Sequence, residues 1–127
     1  MKKIVGTFIS ALLSVLLCAT AFAVEPRWNN VIGINPAISA SSQTYSSYVS
    51  AVPNATKIDC TLVLYEKGLF GNYKEVARTT STYYGFRHEF SGSYSIKAGT
   101  TYKLTTTATV TVNGSSETVS YDFEKKC

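Results

Sequence analysis

After residue 24 the chain alternates. In "KIDCTLVLY", Ile58, Cys60, Leu62 and Leu64 fall on one side, and Asp59, Thr61, Val63 and Tyr65 on the other. In "TYKLTTTATVTV", Tyr102, Leu104, Thr106, Ala108, Val110 and Val112 oppose Lys103, Thr105, Thr107, Thr109 and Thr111. The same period runs through Phe86, His88, Phe90, Tyr94 and Ile96, and through Val119, Tyr121 and Phe123. An extended chain points successive side chains to opposite faces, so a period of two with one apolar half marks a strand buried on one side. The residues that supply the pattern, Val, Ile, Thr, Tyr and Phe, are those that fit a pleated surface.

Turn residues punctuate the runs. They are Pro53-Asn54, the stretch Gly68 to Asn72 ("GLFGN"), Ala98-Gly99 and Asn113-Gly114. Asn-Gly is the strongest, because both residues tolerate the positive φ of a two-residue hairpin. Strands are expected near 30–39, 43–52, 57–66, 73–80, 86–96, 101–112 and 117–124. Pro36 puts the first of them at an edge or at a switch between sheets. Seven short antiparallel strands with regular turns predict an all-β, immunoglobulin-like two-sheet sandwich.

The N-terminus reads differently. Met1-Lys2-Lys3 is basic, Ile4 to Leu17 is an almost unbroken apolar run, and Ala21-Phe22-Ala23 has the small-x-small form of a cleavage site. This pattern predicts a signal-peptide helix over 1–23 and secretion after cleavage near Ala23. The apolar run is short for a bilayer span, so no membrane span is expected in the mature chain. A single β-sandwich domain is then expected over 24–127. Removing Lys2 and Lys3 leaves 10 basic against 8 acidic residues. So small and scattered an excess lacks the basic stripe that nucleic acid requires.

Two cysteines remain after cleavage, Cys60 and Cys127. Export and an even count predict a bridge between them. It would close a loop worth about 4 kcal/mol in chain-entropy terms. The alternative is one buried cysteine and one free terminal thiol.

"IKAGTTYKLTTTATV" (Ile96 to Val110) resembles the corner before the penultimate strand of fibronectin type III and immunoglobulin-like domains. The resemblance implies that Tyr102 is a tyrosine corner, its hydroxyl turned back to the turn's backbone, with Ile96 and Leu104 in the core. Residues 56–119 as a whole are similar to small secreted, uncharacterised proteins of Gram-positive, clostridia-like bacteria. Those proteins often carry a cysteine in the strand before "TKI", where Tyr45 to Val49 has none. The resemblance supplies no active site to carry over.

Candidate chemistry is sparse. His88 is the lone histidine, too few for a His/Cys metal cluster, and it is read as a semi-buried structural residue. No nucleophile elbow is present. Asp59 and Asp122 are read as solvated outer-face charges, and the Thr105, Thr107, Thr109 and Thr111 row as ordinary sandwich exterior. No cofactor or metal is expected, and the chain is not expected to be an enzyme. The aromatics carry more weight. "GLFGNY" and "TYYGF" put Phe70, Tyr73, Tyr83 and Tyr84 at or near loops, where exposed rings on a rigid scaffold serve binding. The alternative is that they cap the ends of the core. The expectation is a secreted binding or adhesion module that meets a cell-surface protein or polysaccharide through aromatic loops at one end. A structural envelope-associated protein is the second possibility, and a secreted small toxin or hydrolase the third.

Overall fold

The computed structural model describes residues 28–127; the expected leader at 1–23 lies outside the described residues. The alternating runs are strands: β1 (Val31–Ser39), β2 (Thr44–Ala51), β3 (Ala55–Lys67), β4 (Tyr73–Tyr83), β5 (Arg87–Ser93), β6 (Thr101–Val112) and β7 (Ser115–Lys126). They form two antiparallel sheets, β1-β2-β5 and β4-β3-β6-β7, packed against each other as a sandwich. In the immunoglobulin constant-type arrangement the fourth strand joins the sheet of the first two. Here β4 stays beside β3. Pro36 lies in the edge strand β1, where a missing N–H costs no ladder bond on the open side.

The β6–β7 connection is the two-residue turn that Asn-Gly favours, with Val112 opposite Ser115 and φ of 53° at Asn113 and 77° at Gly114. One expected strand is shorter in the structure. The run 86–96 ends at Ser93, because the chain must leave its sheet to reach β6 in the other. Ile96 is still buried from this crossing segment.

The core lies between the apolar faces. Ile58, Cys60, Leu62 and Leu64 of β3 and Leu104, Ala108 and Val110 of β6 meet Ile34 and Ile38 of β1, Tyr45 and Val49 of β2, and Phe90 of β5. Two polar side chains are wholly buried among them, and they satisfy each other. The Thr106 hydroxyl donates to Ser47 Oγ at 3.0 Å, linking the sheets, as a buried polar group requires a partner. At the β4/β5 side, Tyr45 stands opposite Gly92 and its hydroxyl is 2.7 Å from Thr79 Oγ1 on β4. A Cβ at position 92 would overlap both the Tyr45 phenol and the Thr79 hydroxyl. Glycine there lets the ring lie over bare backbone and close the sandwich edge.

At the turn into β6, the Lys97 amide donates to the Tyr102 hydroxyl at 2.9 Å. Tyr102 itself is fully buried, so its phenol has a partner where water cannot supply one.

The expected Cys60–Cys127 bridge does not form; both cysteines are free. Cys60 is level with Ala108 on β6. Cys127 sits before the start of the same strand, its amide donating to the Thr100 carbonyl at 3.0 Å and its carbonyl accepting from the Gly99 amide at 2.9 Å. The strand from Thr101 to Ala108 spans about 23 Å, whereas a disulfide needs Cα atoms within about 7 Å. The chain end is held by backbone pairing instead.

Candidate functional site

β3 and β4 part at Lys67 and Tyr73, leaving Gly68 to Asn72 as a loop. The Gly68 amide donates to the Asn72 carbonyl at 2.7 Å and the Gly71 amide to the Gly68 carbonyl at 3.1 Å. Leu69 and Phe70 therefore occupy the two central positions of a β-turn, followed by Gly71 at φ 85°. Turns favour Pro, Asp, Asn, Ser and Gly there for reasons of φ or local hydrogen bonding; nothing in the turn calls for Leu or Phe. Yet Leu69 is 100% exposed and Phe70 92%.

Behind this tip lies an open groove of about 480 Å³, lined by Glu66, Lys67, Gly68 and Leu69 on one side and Gly99, Thr100 and Thr101 on the other. Glu66 Oε2 accepts from Lys97 Nζ at 3.3 Å, a bond that raises the Lys97 pKa. Glu66 Oε1 is buried without a hydrogen-bond partner.

The four expected ligand aromatics do not form one patch. Tyr73 opens β4 and Tyr83 closes it, so about 33 Å of strand separates them. Phe70 and Tyr73 belong to one end of the sandwich, Tyr83 and Tyr84 to the other. The expectation of aromatic loops gathered at one end fails, because a single strand carries the chain from one end to the opposite one.

Two of the four are also engaged internally. Tyr73 folds over the outer face of its sheet. Its hydroxyl donates to Glu124 Oε2 at 2.7 Å, and Lys103 Nζ lies 4.7 Å from its ring centre and 4.9 Å from that of Tyr65. Burial, reinforced by the bond to Glu124 and that carboxylate's charge, pushes the Tyr73 phenol upward. Tyr83 stacks on His88, with ring centres 4.1 Å apart and planes 12° from parallel. His88 in turn meets Phe90 edge-on at 4.9 Å. The histidine is thus packed between two aromatic rings. Only Phe70 and Tyr84, the latter 79% exposed, present free rings.

The threonine row of β6 faces outward and pairs sideways. Thr107 meets Ser120 at 3.3 Å, Thr109 meets Thr118 at 2.8 Å and Thr111 meets Ser116 at 3.2 Å. The Thr105 hydroxyl donates to Asp122 Oδ1 at 2.7 Å. Asp59 accepts from Thr82 and sits 3.6 Å from Lys57 Nζ. Both aspartates lie on this outer sheet face, in separate pairs.

Sequence reading missed Leu69 and the charge around it. The signal was there: two large apolar residues bracketed by glycines leave no strand to bury them. Register places seven basic residues, Lys67, Lys74, Arg78, Lys97, Lys103, Lys125 and Lys126, in the half of the sandwich that carries the tip, against Glu66, Glu75, Asp122 and Glu124. The opposite half holds Lys57 and Arg87 against Asp59, Glu89 and Glu117. The scattered positive charge of the sequence is therefore polarised in space.

Among the described residues no cluster of His, Cys, Asp and Glu could hold a metal ion, and no helix is long and apolar enough to cross a membrane. Compared with protein-family models and with curated proteins, the chain matches none.

Proposed function

We propose that the protein is a secreted, non-catalytic binding module that meets its ligand at the cell envelope through the β3–β4 tip. One observation carries the reading: Leu69 and Phe70 stand wholly in water at the end of a rigid hairpin whose geometry does not need them. Exposed apolar groups of this kind lower solubility and are retained where a contact covers them. The leader pattern at 1–23, and the resemblance of residues 56–119 to small secreted bacterial proteins, support a site of action outside the cell.

The test is co-sedimentation of the mature chain with isolated envelope fragments. Wild type is expected to pellet, and the double variant Leu69→Ser/Phe70→Ser to stay in the supernatant with an unchanged far-UV spectrum. Equal behaviour of the two, whether both pellet or neither does, would sink the reading.

A further inference from the structure

Resting on that reading, we infer that the tip's ligand is an anionic lipid surface, with Leu69 and Phe70 entering the interfacial layer and the surrounding lysines meeting the headgroups. Three features converge on this class. The first is shape. Leu69 and Phe70 lead outward from a convex turn, with Gly68 and Gly71 on either side. A protruding apolar pair inserts into a deformable layer, as the apolar side chains of interfacial segments do, whereas small-molecule ligands are taken in concave, walled sites.

The second is charge. Lys67 and Lys74 flank the loop on its two strands, and Lys126 ends β7 at the same end. All three are exposed, and among the described residues none has a carboxylate partner, the ion pairs being Lys57–Asp59, Arg78–Glu75 and Lys97–Glu66. A long lysine stem can lie along an apolar boundary while its ammonium reaches phosphate. Clustered lysines near an anionic surface add attraction that salt screens.

The third is polarity of the whole molecule. The tip half carries the lysine excess, while acidic residues outnumber basic ones in the opposite half. The field therefore orients the sandwich with its tip toward a negative surface before contact. An apolar tip with an adjoining basic patch is the two-signal combination that reversible interfacial binding requires.

The experiment uses vesicles of phosphatidylglycerol mixed with phosphatidylcholine, vesicles of phosphatidylcholine alone, and the variant Phe70→Trp. Trp28 lies away from the tip, its ring beside Tyr121 in the middle of β7, and serves as an internal control. The expected result is a blue shift and quenching by brominated lipid for Phe70→Trp but not for wild type, on anionic vesicles only. Lys67→Glu/Lys74→Glu/Lys126→Glu is expected to weaken binding by at least about tenfold, each lysine contributing at the surface. Leu69→Ser/Phe70→Ser is expected to weaken it by at least about a hundredfold, from the lost apolar burial.

No blue shift, equal binding to neutral vesicles, or undiminished binding of the tip variant would overturn the inference. If vesicles fail but delipidated envelope fragments still retain wild type and not the tip variant, the lipid assignment falls and the binding-module reading stands. If neither surface retains the protein, both fall.

Discussion

The two loops that bracket β4 make an instructive pair. Each brings aromatic residues next to a glycine at an end of the sandwich, and in the sequence they look alike. In space the loop after β4 is partly closed, Tyr83 covered and Tyr84 left free, and the loop before it is open. Tyr83 stacks on His88, which abuts Phe90, so that end continues the core outward. Leu69 and Phe70 face only solvent. The difference arises because the β4–β5 connection crosses between sheets and brings a second strand's side chains against Tyr83. The β3–β4 connection is a hairpin within one sheet and projects beyond both. An aromatic near a turn thus marks a candidate contact only when no neighbouring element is there to cover it.

The largest expected contrast, between the core and the tip end, is in thiol chemistry. Cys60 is 2% exposed, and burial pushes its thiol up to about 12, while Cys127 at the tip end is half-buried. The thiolate is the reactive form. The chain from Val24 to Cys127, which lacks Cys18, titrated natively with a thiol reagent at pH 8 without reductant, is therefore expected to show one fast thiol, and two when unfolded. A count of none after unfolding, still without reductant, would restore the bridge. The sign with pH follows. The folded state holds the Cys60 proton more tightly than the unfolded state, whose thiol titrates near 9. That contribution to stability is complete below about pH 9 and is lost as pH rises toward 12. Cys60→Ala is expected to flatten this alkaline limb in urea melts.

Substitutions that probe packing come next. His88→Ala removes the ring between Tyr83 and Phe90 and is expected to cost about 2 kcal/mol in urea unfolding. A cost below about 0.5 kcal/mol would mean the closed end is no more packed than the open one. Tyr102→Phe deletes the acceptor for the Lys97 amide and is expected to cost about 1–2 kcal/mol. It asks how much of the tip end is held from inside. The smallest effect belongs to the tip itself. Leu69→Ser/Phe70→Ser touches nothing in the folded chain, so its urea midpoint should move by no more than about 0.5 kcal/mol equivalent. A large loss there would show that the tip serves stability and would erase the contrast between the loops.

Much of this molecule was legible in its residues. Alternation marked four of the strands, β3, β5, β6 and β7, because a strand buried on one face must repeat every two residues, and turn residues delimited the others. The Asn113-Gly114 hairpin was readable because its backbone needs residues that accept positive φ. Where the sequence was silent, the answer depended on which strands lie side by side. Nothing local shows that Ser47 and Thr106 meet across the core, or that position 92 must be bare because Tyr45 crosses it. The Cys60–Cys127 expectation failed for the same reason: compartment and count fit a bridge, but the register put the two sulfurs at different levels of β6. Local sequence determined strand, turn and face, since each is decided by neighbours along the chain. Which aromatic is covered, which cysteine is reachable and where the lysines gather were decided by tertiary structure, since each depends on residues tens of positions away that only the packed sheets bring together.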